Sequence, residues 1–271
     1  MISLLVQALD VIDSHPLLVD THNKSLIITG ISVDESAGSD SAAETMEKND
    51  KSKFFCNGLD LEWFVHAGDS NNNPNTESIV NNNEGSSDDV SAKQKGKSSS
   101  NPKSKMIESF CSQVLARILT LPFQTIAAIN GHCIGAGLFI ALACDHRIMR
   151  TKRGYIQWPE ARLGMRLTKG FAELTKAKVT EPKVLREAVL MAKRYTPSEA
   201  GACGIIDGEY PMEELYAVAF QLAREGLPES SVMKLEYFDP KSYSEVKMEM
   251  YTDAYRALKF GCVEDLPYSR I

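Results

Sequence analysis

An α/β fold with a helical C-terminal region is predicted by three observations. Short apolar runs of strand length alternate with helix-patterned segments through the middle of the chain. Two of these runs enter glycine-bearing turns that lead straight into helix starts. From Phe171 onward the pattern is mostly helical, with Pro182, Pro197, Pro211 and Pro228 near the expected starts.

The elements follow in order. Residues 1–12 (MISLLVQALDVI) have the spacing of an amphipathic helix and begin without a capping residue. Residues 25–30 (SLIITG) form an apolar run closed by glycine, as expected of a buried strand. Residues 53–61 (KFFCNGLDL) enter like a strand and turn at Gly58 into a helix start. Residues 106–119 place Phe110, Val114, Leu115 and Ile118 on one helical face, and the helix is expected to end before Pro122. Residues 125–129 (TIAAI) are a second buried strand, followed by Gly135-Ala136-Gly137 opening the apolar helix LFIALAC. Two further strands are expected over 147–150 and 155–158.

Two stretches break this order. Residues 32–52 are acidic and small; residues 67–105 are rich in Asn, Ser and Lys. Neither holds enough apolar surface to offset its ordering entropy, so both are expected to be disordered insert loops. They also absorb much of the charge. The chain has 271 residues and a net charge of −6, of which the first loop alone carries −4. Without the loops, 211 residues remain, which suits one domain: a core over 1–210 and a helical region with a tail over 211–271.

Composition excludes several function classes. No Lys/Arg-rich face is present, which argues against nucleic acid as a partner. No apolar run approaches the roughly 18–20 residues of a membrane span, and no basic stretch precedes the first apolar one as in a secretory signal. The six cysteines have no CxxC pair, so free thiols and a reducing compartment are expected, with no metal centre.

The chemistry concentrates in three segments: 53–61, 121–145 and 154–164. In the first two, a strand, a tight turn and a helix start leave backbone N–H groups without intrachain partners. Two such turns meeting at one point would make an oxyanion hole. The third segment (GYIQWPEARLG) supplies a carboxylate, Glu160, which would be desolvated if held between Trp158 and Leu163. Plainer readings stand beside these. Glu160 after Pro159 also suits a helix N-terminus, and the Gly135–Gly137 pair also suits close helix packing. Cys133 and Cys144 invite a thiol-catalysis reading, but a buried cysteine is usually inert, so it is set aside.

Together the three segments resemble the crotonase (enoyl-CoA hydratase/isomerase) superfamily, and within it the peroxisomal Δ3,Δ2-enoyl-CoA isomerases of plants. The resemblance implies a ββα spiral core and a fatty acyl-CoA thioester substrate, with no separate cofactor because CoA is part of that substrate. It implies backbone oxyanion donors at Leu59 and Ala136, Glu160 as the catalytic base, and substrate contacts from Gly58, Asp60, Gly135, Phe139 and Trp158. The catalytic Glu that hydratases add in the helix after the second turn corresponds to Phe139 here, and their second catalytic Glu to Glu160. A hydratase adds water and needs two carboxylates, whereas moving a double bond needs one proton shuttle; the expected activity is therefore isomerisation in β-oxidation. The alternatives are a hydratase or acyl-CoA hydrolase, and an inactive acyl-CoA-binding paralogue. The resemblance also implies a trimer or hexamer, and an N-terminal hairpin ahead of the first helix that this sequence lacks. The terminal Ser269-Arg270-Ile271 is similar to a peroxisomal address read by an import receptor.

Overall fold

The computed structural model describes residues 2–14, 25–30, 54–56, 102–225 and 239–261. Helix α1 (Ile2–Ser14) leads to strands β1 (Ser25–Thr29) and β2 (Phe54–Cys56). Helices α2 (Pro102–Ser109) and α3 (Ala116–Leu119) flank a π-turn at Phe110–Leu115. Strands β3 (Gln124–Ile129) and β4 (His132–Ile134) precede α4 (Ala136–Ala143), followed by β5 (His146–Arg150) and β6 (Ile156–Gln157). Helices α5 (Lys169–Lys178), α6 (Pro182–Leu185) and α7 (Pro197–Ala202) lead to β7 (Gly208–Tyr210). Helices α8 (Met212–Glu225), α9 (Pro240–Met250) and α10 (Thr252–Phe260) follow.

The strands form two parallel sheets, ordered β1-β3-β5-β7 and β2-β4-β6. Consecutive strands therefore alternate between sheets, and each sheet grows in chain order. This is the spiral that the family resemblance implied. The β3 run QTIAAI is buried throughout because both its faces are covered. Ala127 and Ile129 join the main core, whereas Ile126 and Ala128 pack with Ile148 against Leu215, Ala219 and Leu222 of α8.

All eight residues of α4 are buried, as expected of a helix that is apolar on every side. Its C-terminal end is densely bonded. Cys144 O accepts from Arg147 Nη1 (3.0 Å) and Lys178 Nζ (3.3 Å), cations suited to the negative end of a helix. Asp145 Oδ2 accepts from Thr125 N (2.9 Å), Thr125 Oγ1 (3.0 Å) and Lys247 Nζ (2.6 Å). Lys247 also donates to Leu121 O and Phe123 O, tying α9 to the core.

Several expectations change. The helix after the second loop begins at Pro102, four residues inside the span expected to be disordered, because proline suits a first helical position. The remainder of that span, all of 32–52 and the Pro228 start lie outside the described residues. The expected helix over 106–119 contains a π-turn, which places Phe110, Cys111, Val114 and Leu115 in the core. Cys111 is disulfide-bonded, which corrects the reading of six free thiols. Among the described residues, no helix is long and apolar enough to cross a membrane.

Candidate active site

The three segments singled out in the sequence leave the C-terminal ends of the three neighbouring strands of the smaller sheet. β2 ends at Cys56, β4 at Ile134 before Gly135-Ala136, and β6 at Gln157 before Trp158-Pro159-Glu160. In parallel α/β sheets, ligands bind beyond these ends. Gly58, Leu59 and Asp60 lie outside the described residues, as does the Ser269-Arg270-Ile271 tail. The arrangement is therefore built from β4, β6 and the end of β2.

Gly135 sits at φ +55° and ψ −122°, a conformation only glycine adopts readily, and its N–H donates to Gln157 O at 3.3 Å. This lets the chain turn from β4 directly into α4. Ala136 becomes the first helical residue, where an N–H has no acceptor within the helix; among the described residues it donates to none. A Cβ built on Gly135 would lie 3.6 Å from Pro159 Cγ, so this turn rests against the residue preceding Glu160. A Cβ on Gly137 would lie 2.4 Å from Cys56 Cβ and 2.6 Å from Cys56 O. Glycine here brings the start of α4 onto the end of β2. The close-packing reading of the two glycines and the anion-site reading are thus compatible.

Glu160 opens a hydrogen-bonded turn, not a helix. Its carbonyl accepts from Leu163 N (3.1 Å) and Met165 N (2.9 Å), while Pro159 O accepts from Arg162 N (3.0 Å). The backbone is thereby held while the carboxylate turns inward. Oε2 is buried and has no hydrogen-bond partner. Burial pushes the carboxyl pKa up to about 7, opposed only by Glu160's own backbone N–H.

Leu163 does not cover this group: it is 48% exposed. Trp158 is fully buried and donates from Nε1 to Thr175 Oγ1 at 3.1 Å, which in turn donates to Phe171 O. Phe139 is buried and stacks on Phe171, with centroids 4.1 Å apart and planes 5° from parallel. Trp158 and Phe139, expected to contact substrate, are both buried in the hydrophobic core. Among the described residues, no group of three or more His, Cys, Asp or Glu side chains is arranged to hold a metal ion.

Sequence reasoning missed Gln157 and Tyr195 as supports for β6. Tyr195 bridges Ile156 antiparallel in both directions at 2.9 Å, and the Gln157 side chain joins Ala192 O to Arg194 Nε. An isolated bridge has no periodicity to detect. A buried carboxylate of raised pKa can carry a proton at neutral pH, and a helix-start N–H without an acceptor can donate to an anion.

The enoyl-CoA hydratase/isomerase family model matches residues 89–257. The chain belongs to that family. It is 34% identical over 168 residues to enoyl-CoA delta isomerase 2, peroxisomal, of Arabidopsis thaliana, covering 62% of this chain and 59% of that protein. Its identity to enoyl-CoA delta isomerase 3 of the same plant is 34% over 155 residues, covering 57% and 53%. The chain thus spans between half and two thirds of each of these relatives. Among solved structures, human mitochondrial delta3-delta2-enoyl-CoA isomerase aligns with TM-score 0.62 at 18% identity, covering 95% of this chain and 75% of that one. A probable enoyl-CoA hydratase of Mycobacterium tuberculosis aligns with TM-score 0.63 at 20% identity, covering 95% and 81%. These likenesses establish the family's crotonase fold.

Proposed function

We propose that this chain is a Δ3,Δ2-enoyl-CoA isomerase in which Glu160 is the only proton shuttle. The observation that carries the reading is Glu160 itself: a buried, unpartnered carboxylate with its pKa pushed up to about 7. A base of that pKa is matched to neutral pH. It removes a proton from C2 of the 3-enoyl thioester and returns it at C4, leaving the conjugated 2-enoyl product. The enolate oxygen between these steps accepts from Ala136 N–H and, by the family resemblance, from Leu59 N–H. Each such donor contributes roughly 3–4 kcal/mol to the transition state. By the family resemblance, Phe139 stands where the hydratases carry an additional catalytic Glu, so an apolar side chain replaces a carboxylate that would activate water.

The reading is tested by supplying a 3-enoyl-CoA and following the conjugated thioester by its absorbance. Formation of that product by the wild type, and its loss in a folded Glu160→Gln variant, are expected. Water addition, release of CoA thiol, or binding without turnover would instead favour a hydratase, a hydrolase or an acyl-CoA-binding paralogue.

The same proposal places the enzyme in β-oxidation of unsaturated fatty acids in the peroxisome. Its support is the peroxisomal designation of the Arabidopsis relative and the terminal Ser269-Arg270-Ile271. A fluorescent fusion that loses peroxisomal import when the tripeptide is deleted would support receptor recognition. Trimeric or hexameric assembly belongs to the proposal too, with Val246, Met250 and Phe260 exposed on the C-terminal helices; sedimentation measures it.

A further inference from the structure

Cys56 and Cys133 are Cα partners in the parallel pairing of β2 and β4, just past an irregularity between Phe54 and Cys56. Neighbouring strands lie about 4.8 Å apart. Disulfides span Cα separations of roughly 4.4–6.8 Å. Cys56 packs against the core that contains Cys133, and the Cys56 thiol lies close enough to act on that of Cys133. Their exposures differ: Cys56 is half-buried and Cys133 is fully buried.

Cys56 also sits against the start of α4. A Cβ built on Gly137 would fall 2.9 Å from Cys56 Sγ. The sulfur therefore lies at the first turn of that helix, one residue beyond Ala136. Cys133 is the enclosed member: burial, then the nearby Cys56, raises its thiol well above the ordinary range. The reactive and protected members of the pair are thus distinguished by position.

We infer that Cys56 and Cys133 form a peroxide-sensitive dithiol whose oxidation to a disulfide closes the candidate active site. The Cys56 thiolate attacks a peroxide oxygen, the O–O bond breaks, and Cys56 sulfenic acid forms with release of water or alcohol. Cys133 sulfur then attacks the sulfenic sulfur, the S–O bond breaks, and the hydroxyl leaves as water with the Cys133 proton. Two thiols are oxidised by two electrons and one peroxide is reduced. An external dithiol reverses the step by exchange. The new bond draws the Cys56 sulfur toward β4, off the contact that seats α4 on β2. The chemistry is independent of the isomerase assignment; only its effect on turnover rests on that proposal.

The test treats the purified full-length chain with hydrogen peroxide and maps its peptides without reduction. Cys133 and Cys144 share one tryptic peptide, so a Cys144→Ala variant is mapped in parallel. The expected result is a Cys56–Cys133 linked peptide in both proteins, removed by dithiothreitol. Isomerase activity should fall at least tenfold with linkage and return on reduction. A Cys133→Ser variant should instead accumulate sulfinic acid at Cys56. The inference is overturned if Cys56 stays a thiol, if it over-oxidises with Cys133 present, or if it links to another cysteine. Linkage with unchanged turnover overturns the closure. Linkage in a protein without isomerase activity contradicts only the proposed function.

Discussion

The two ends of α4 hold two carboxylates in opposite conditions. At the C-terminal end, Asp145 accepts from two Thr125 groups and Lys247. Beyond the N-terminal end, where Pro159 meets the Gly135 turn, Glu160 has a buried oxygen without a partner. A buried polar group left unpaired costs about 1–3 kcal/mol, so one end is built for stability and the other retains capacity for chemistry. A saturated carboxylate is a structural tie; an unsaturated one is a candidate base.

Substitution should separate the two. Glu160→Gln should lower kcat about 1,000-fold, the order expected for loss of a general base, while the melting temperature holds or rises. A large loss of Tm with retained turnover would assign Glu160 to the scaffold. The reciprocal change, Lys247→Met, strands Asp145 and should destabilise by about 3–5 kcal/mol in denaturant titration. Asp145→Asn in that background should recover part of the loss, because the uncompensated charge is gone.

Gly137→Ala probes the join between the ends of β2 and α4. The added methyl would meet Cys56 backbone and side chain below contact distance, and overpacking of this kind costs roughly 1–3 kcal/mol. Turnover should fall further than stability predicts, since the helix start shifts. Gly204→Ala has open space around its Cβ but φ +69°, and should affect stability alone.

The smallest effect is in pH dependence. Glu160 must be ionised to act, so kcat/KM should rise with pH through about 7. The stability sign is opposite. The folded carboxyl holds its proton to higher pH than the unfolded one, so its contribution is present below about 4.5 and declines as pH rises through about 7. Glu160→Gln should flatten both trends. A wild-type rate independent of pH between 6 and 8 would break the assignment.

Much of this was legible in the sequence where packing leaves a periodic trace. The runs at 25–30, 125–129 and 147–150 became β1, β3 and β5 within one residue at each end. β4 was not recognised, because three residues with alternating partial burial between Gly131 and Gly135 have no usable period. β7 was missed for the same reason. The carboxylate and its desolvation were expected from the motif, but the group expected to bury it was not the right one. Leu163 was expected to shield it and is half exposed; its burial comes from tertiary packing that no local pattern records. The tie between Lys247 and Asp145 spans 102 positions, a separation at which local pattern carries no information.

The contact between Gly137 and Cys56 has a consequence for inheritance. A backbone donor can be supplied by almost any residue, so drift at Ala136 itself is weakly opposed. The glycine beside it touches no substrate, yet the absence of its side chain sets how closely two chain segments approach. Selection for the reaction should therefore register most strongly at a position with no reacting atom, and a saturation library should find Gly137 less tolerant than the donor it serves.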